Sequence, residues 1–421
     1  MRARCFSSCP FIFDSSQSLI RFRSSFRLSP PSPYLSLSSS ASLYHRASSS
    51  PGGLSLPTGP ATLNLREPSR RPIGTHGPVR KLLQTSTRAL HFDAFQAFRP
   101  PPPKICGTPG GPPVTAPRIK LRDGRHLAYK EHGLHKDVAK HKIVFVHGFT
   151  SCRLDPMIVT NLTPEVIEEL GVYVVTFDRP GYGESDPDPN RTPKSLALDI
   201  EELADGLGLG SRFYLMGKSM GGQVVWGCLK YIPQRLAGAA LIAPVINYWW
   251  PGFPAELCKE AYNLQLPQDQ WALRVAHHAP WLTYWWNTQK LFPSSGVISR
   301  KRETMSRQDI ELVSKYGGGH DLKKEATQQG EFESLHRDMM IGFGKWEFDP
   351  MDLENPFPNN EGSVYLWQGD DDKKVPVILQ RYIAQKLPWI HYHELPGGGH
   401  VLHFVPGLIE GVLRALLRGG K

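Results

Sequence analysis

The sequence predicts an α/β fold, with a mostly parallel central sheet, helices on both faces and an inserted helical cap. Three observations predict it. Short β-branched apolar runs, such as residues 142–146 (KIVFV) and 172–177 (VYVVTF), alternate with amphipathic helical stretches, the pattern of strands buried on both faces. One such run ends in Gly217-Lys218-Ser219-Met220-Gly221-Gly222, which reads as a sharp strand-to-helix turn. Between Val245 and about Pro356 the alternation stops, and helix-like sequence there carries six of the ten tryptophans: Trp249, Trp250, Trp271, Trp281, Trp285 and Trp286.

The elements follow in order. Residues 1–98 are rich in Ser, Arg and Pro and poor in acids. They read either as a transit peptide for a plastid or mitochondrion, or as a plain disordered tail that leaves the chain cytoplasmic or membrane-associated. Residues 99–116 form a proline-rich linker, stiffened by the run of four prolines at 100–103. Residues 118–121 and 126–130 make a hairpin around Asp123-Gly124. Strands at 142–146 and 172–177 are followed by an amphipathic helix at 193–207. The strand at 212–216 leads into Ser219, and the buried helix at 223–231 ends near Ile232-Pro233. Strands return at 237–242, 363–367 and 389–395. The core is therefore expected at 117–245 and 357–421, with the cap at 246–356. An aromatic-rich cap implies that some of its tryptophans line an apolar pocket.

Charge and cysteine usage exclude several function classes. Of 49 Lys+Arg and 39 Asp+Glu, residues 1–103 hold 13 and three, which leaves 36 of each in the body. The formal charge of +10 thus belongs to the N-terminal stretch, and no basic face for nucleic acid is expected. The six cysteines form no C-x-x-C pair, which argues against a disulfide framework or a zinc site and for a reducing compartment. No metal or cofactor is called for. No run of 18 or more apolar residues occurs, so no transmembrane helix is expected, although membrane association stays open.

The turn at Ser219 carries the chemistry. Glycines flank it because side chains would clash across so tight a turn. The serine hydroxyl is then presented at a helix N-terminus, where the backbone N–H of Met220 can face a developing oxyanion. A serine hydroxyl becomes a nucleophile only when a histidine takes its proton and a carboxylate orients that histidine. This arrangement suits acyl transfer from a small-molecule acyl substrate.

The order of motifs from His147 to His400 resembles the α/β-hydrolase superfamily. Val144-Phe145-Val146-His147-Gly148-Phe149 is similar to the strand and loop that supply the second oxyanion donor, which implies the N–H of Phe149. His147 and Gly148 are then the supporting loop. Asp178-Arg179-Pro180-Gly181-Tyr182-Gly183-Glu184-Ser185 matches the family's D-x-x-G-x-G-x-S loop. The family's chain order of serine, acid and histidine implies His400 rather than His320, although both sit in a G-G-G-H setting. Its G-x-x-D-x-x-V-P spacing falls on Gly369, Asp372, Val375 and Pro376, which implies Asp372 as the acid. Of Asp370, Asp371 and Asp372, only one is expected to point at His400, with Asp371 left to cap the next helix. Lys218 is expected to face solvent. The stretch 99–133 also resembles a group of poorly characterised plant α/β-hydrolases, in which a hydrophobic anchor often precedes the prolines. The resemblance implies a serine esterase or lipase-like enzyme acting on an apolar acyl substrate. A slow or non-catalytic small-ligand receptor on the same fold is the alternative. An epoxide hydrolase or dehalogenase would need an aspartate where Ser219 stands.

Overall fold

The computed structural model describes residues 98–155, 162–317 and 321–418. Of the expected tail at 1–98, all but Phe98 lies outside them, as does His320.

Eight strands form one sheet in the order β1-β2-β4-β3-β5-β6-β7-β8. They are β1 (Arg118–Lys120), β2 (His126–Gly133), β3 (His141–Val146), β4 (Val172–Phe177), β5 (Phe213–Lys218), β6 (Leu236–Ile242), β7 (Val364–Gly369) and β8 (Ile390–Leu395). The six strands from β4 to β8 are parallel, while β1 and β2 are antiparallel. β2 runs past the expected residue 130 because its ladder with β4 continues to Gly133 opposite Tyr173.

Residues alternate between two cores, as strands covered on both faces require. In β3, Val144 and Val146 enter one core and Ile143 and Phe145 the other. β4 divides likewise, with Tyr173, Val175 and Phe177 against Val172 and Val174. The first core is closed by α2 (Pro193–Gly206) and α3 (Met220–Tyr231), the second by α1 (Pro164–Leu170) and, at the C-terminus, by α11 (Leu408–Arg418). Local chemistry starts these helices. Thr192 and Ser195 form a reciprocal capping box with Pro193 in the first turn of α2. α1, which the sequence pattern did not single out, has the Thr163 cap, Pro164 and a left-handed Gly171 at its end.

Between β6 and β7 the described residues contain helices and turns but no strand. The helices are α4 (Ala255–Asn263), α5 (Pro267–His278), α6 (Thr283–Thr288), α7 (Arg307–Tyr316), α8 (Leu322–Ala326), a π-turn at Phe332–His336 and α9 (Arg337–Gly342). After β7, α10 (Val377–Lys386) returns the chain to β8. Among the described residues no helix is long and apolar enough to cross a membrane.

Residues 99–116 correct an expectation. They do not stand off as a spacer but dock on the domain. The Lys104 N–H donates to the Gln329 carbonyl (2.8 Å), and the N–H of the buried Cys106 donates to Gln329 Oε1 (3.0 Å). The N–H groups of Thr115 and Ala116 both donate to Glu184 Oε2 (2.7 and 3.0 Å). Prolines stiffen a chain but leave the following N–H groups free to find buried acceptors, and here the acceptors lie on Gln329 and Glu184.

Candidate active site

The chain leaves β3 and goes to β4 on one side, then crosses to β5 on the other. The carboxyl ends of β3 and β5 therefore open the crevice at which open α/β sheets bind ligands. Ser219 follows β5 directly, with φ 53° and ψ −119°, a strained conformation for a residue with a Cβ. The turn is held by the Ser219 N–H donating to the Ile242 carbonyl (2.9 Å) and by the Ser219 carbonyl accepting from Gly222 and Val245 (2.9 and 3.0 Å). A Cβ at Gly217 would lie 2.5 Å from the Gly221 carbonyl oxygen, and one at Gly221 would lie 2.2 Å from that of Val146. Only glycine fits either place.

His400 Nε2 lies 2.9 Å from Ser219 Oγ, and His400 Nδ1 lies 2.8 Å from Asp372 Oδ2. Asp372 is fixed in turn. Its Oδ1 accepts from the N–H groups of Lys374 and Val375 (2.8 and 2.9 Å), and its Oδ2 from Gln368 Nε2 (3.1 Å). Burial alone would raise the Asp372 carboxyl, but His400 and the two N–H donors outweigh it and hold the group below its ordinary range. Of the neighbouring acids, Asp370 accepts from the Gly397 N–H (2.6 Å), and Asp371 pairs with Lys373 (2.5 Å). Asp371 does not cap α10, contrary to expectation. That helix begins after Pro376 without a side-chain cap, too far along the chain for Asp371 to reach.

Phe149 and Met220 both line the space at Ser219. Neither backbone N–H donates to another described residue. His147 sits beneath this loop. Its Nε2 accepts from the Arg179 N–H (3.1 Å), so Nδ1 carries the proton and donates to the Gly148 carbonyl (2.8 Å). Burial, helped by Arg179, pushes the imidazole down to about 3 and keeps it neutral.

Lys218 overturns the expectation of a solvent-facing side chain. Its Nζ pairs with Asp155 Oδ2 at 2.9 Å, and its side chain is only 13% exposed. Burial would raise the Asp155 carboxyl, but the charge and hydrogen bond of Lys218, with the Ser151 hydroxyl, outweigh it and hold the group well below its usual range. A second ionic cluster ties the loop after β4 to α9. Asp338 accepts from Tyr182 Oη (2.6 Å), Arg179 Nη2 (2.7 Å) and Arg191 Nη2 (2.8 Å). Sequence spacing gave no hint of either cluster, since the partners lie 63 and about 150 residues apart.

Two cavities meet at Ser219 and His400. The narrower, with about 650 Å³ of free space, is walled by Met220, Val245, Ile246, Tyr248, Leu273, Met339 and Phe343. Its one acid, Asp269, is engaged by Ser295 Oγ (2.6 Å). The wider, with about 1360 Å³, is bounded by Lys218, Asp155, Arg300, Lys374, Val401, His403 and Phe404. No tryptophan lines either cavity, which corrects the expectation drawn from their density. The rings satisfy one another instead. Trp249 stacks on His277 at 4.2 Å, Trp250 meets Trp346 at 5.0 Å, and Trp286 meets Phe292 at 4.4 Å. Trp271 and Trp281 are more than half exposed. Among the described residues no group of three or more His, Cys, Asp or Glu could hold a metal ion.

The chain is similar in three dimensions to several solved structures. A thermophilic esterase from Thermogutta terrifontis is 21% identical, with 71% of this chain and 96% of that chain covered and a TM-score of 0.44. An esterase from Rhodococcus sp. ECU1013 is 15% identical over 73% and 100%, with a TM-score of 0.48. A bromoperoxidase from Bacillus anthracis is 17% identical over 72% and 98%, with a TM-score of 0.47. Residues 143–410 match the Alpha/beta hydrolase family over most of the core and the helical stretch within it. With that match and this sheet, the chain belongs to the α/β-hydrolase family.

Proposed function

We propose that the protein is a serine hydrolase that cleaves an ester or related acyl substrate bearing an apolar group. One observation carries this reading: Ser219 Oγ, both nitrogens of His400 and Asp372 Oδ2 form one continuous chain of hydrogen bonds at a strained strand-to-helix turn. In the first step His400 Nε2 takes the Ser219 hydroxyl proton as Oγ bonds to the acyl carbon. The carbonyl π pair moves onto oxygen, and the N–H groups of Phe149 and Met220 stabilise that oxyanion by roughly 3 kcal/mol each. When the oxyanion collapses, the bond to the leaving group breaks and His400 returns its proton to the departing atom. Water then repeats the sequence on the acyl-enzyme, with His400 again as base. Asp372 remains ionised throughout and holds Nδ1–H toward itself, which keeps Nε2 free to accept.

In this reading residues 246–356 act as the cap, since α5, α9 and the loop residues Ser295 and Val297 wall the narrow cavity at Ser219. Its apolar lining supports an apolar acyl group. The experiment is labelling by a fluorophosphonate, with hydrolysis of p-nitrophenyl esters followed alongside. Labelling and turnover are expected in the wild type, and Ser219→Ala should lose the label and on the order of 10³-fold or more in kcat. A wild type that takes no label and turns over no ester would give the protein the role of a ligand receptor.

A further inference from the structure

The two cavities that meet at Ser219 differ in chemistry: the narrow one is mostly apolar, while the wide one adds Asp155, Lys218, Arg300 and His403 around Lys374. This residue lines both of them, beside His400. Its backbone N–H is committed to Asp372. Among the described residues, its ammonium has no carboxylate within 4.0 Å and makes no side-chain hydrogen bond. The other charges of the wide cavity largely answer one another. Lys218 is paired with Asp155, and Arg300 with Asp321 at 3.1 Å near the rim. His403 is held neutral by burial and by Lys218. Asp155 is the only carboxylate in that lining, against Lys218, Arg300 and Lys374. Lys374 is partly buried, and the carboxylates that act on it through space, Asp309 and Asp372, are each bound elsewhere, to the N–H groups of Ser306 and Val401 and to His400, so an anion placed against the ammonium would gain an attraction that no ion pair already satisfies.

We propose that the wide cavity is an anion-accepting leaving-group site, so that the substrate joins an apolar acyl group to an alcohol or phenol bearing a carboxylate or similar oxyanion held by Lys374. This rests on the hydrolase reading above. The side is set by the proton. The leaving oxygen must receive it from His400 Nε2, and the chain that follows His400 (Val401, His403 and Phe404) walls the wide cavity and not the narrow one. The apolar acyl group then takes the narrow cavity, next to Met220. Ester cleavage by the steps already given releases the acid and an anionic alcohol or phenol, with no further reactant besides water.

The test compares the hexanoyl ester of 4-hydroxybenzoate with that of 4-hydroxybenzamide, two leaving groups of equal shape that differ by one charge. Release of each phenol is followed by chromatography. The carboxylate ester is expected to have a kcat/KM at least 10-fold the higher, Lys374→Met to bring the ratio near one, and Lys374→Arg to keep most of it. A wild-type ratio near one, or a preference that survives Lys374→Met, overturns the proposal and leaves the hydrolase reading standing. If neither ester is turned over, it is the hydrolase reading that fails. Calorimetric binding of both esters to Ser219→Ala then decides the subsite: tighter binding of the carboxylate ester, lost in Ser219→Ala/Lys374→Met, supports it, and equal binding sinks it.

Discussion

Lys218 Nζ lies 2.9 Å from Asp155 Oδ2, so the residue directly before Ser219 is anchored to a loop 63 positions earlier. Asp155 also accepts from Ser151 Oγ (2.7 Å). Removing one member of a buried pair leaves the other charge without compensation, which costs more than the pair itself contributes. Asp155→Asn should therefore lower the unfolding free energy by about 3 kcal/mol. The double variant Asp155→Asn/Lys218→Met should lose less than the sum of the single losses. The sign with pH follows from the depressed Asp155 carboxyl. Its contribution is present above the unfolded carboxylate range and is lost as the pH falls toward its folded value. Urea unfolding of Asp155→Asn, Lys218→Met and the double variant at neutral pH checks the coupling, and additive losses would count against it.

Much of the sheet was legible before any coordinates. β4 has the expected limits, and β3, β5, β6, β7 and β8 differ from theirs by one or two residues, because strands buried on both faces are written as unbroken apolar runs. Ser219, Asp372 and His400 were legible as residues because each sits in a local motif after a strand. Their meeting in space follows from the parallel sheet, which brings the ends of β5, β7 and β8 to one edge. Lys218, Asp155, Asp338 and Lys374 were not legible in this way. Their partners are set by packing across loops, and no spacing rule links Arg179 to Asp338. The tryptophans misled for a related reason. Composition reports that rings are present, while packing decides which of them face each other and which face the cavity.

His147 makes the fold sensitive to acid in a predictable direction. Its folded value is about 3 against an ordinary 6.5. Between those values the unfolded chain binds a proton that the folded protein refuses, so stability falls as the pH drops through that window. From pH 7 to pH 4.5 this one group should contribute a loss of roughly 2 to 3 kcal/mol. His147→Asn should be less stable at pH 7 but should show a shallower acid slope. The measurement is the urea midpoint between pH 4.5 and pH 7.5 for both proteins. Parallel slopes would mean that His147 takes up its proton equally in the folded and the unfolded chain.

The narrow cavity should set acyl preference. Leu273 on α5 and Met339 on α9 form part of its wall and are nearly buried. Each methylene withdrawn from water contributes about 0.8 kcal/mol, so hexanoyl p-nitrophenyl esters should exceed acetyl esters in kcat/KM by well over 10-fold. Leu273→Trp fills this space and should remove most of that preference while acetyl turnover falls less. Equal wild-type rates on the two esters would show that the acyl chain does not enter here.

The docked segment at 98–116 yields the last prediction. Phe98 packs edge-on against Trp285 at 5.3 Å. Thr115 and Ala116 are bound to Glu184, which also pairs with Arg153 Nη2 at 2.6 Å. Gln329 receives Lys104 and Cys106 and donates onward to the carbonyls of Gly183 and Ser185 (3.0 and 2.8 Å). A chain that begins at Pro117 loses these bonds and leaves Gln329 and Glu184 with buried, unmatched acceptors. At about 1 kcal/mol for each of some four bonds, Tm should fall by roughly 6 °C. A chain that begins at Phe98 keeps every one of them. Residues 1–97 hold many serines, prolines and bases and little apolar sequence at regular spacing, so their removal should leave Tm and esterase rate unchanged. We propose that this stretch serves as a targeting extension for a plastid or mitochondrion. A fluorescent protein carrying residues 1–98 should then enter one of those organelles. A diffuse signal would return it to a plain N-terminal extension, and a fall in Tm on removing 1–97 would show that it packs on the domain.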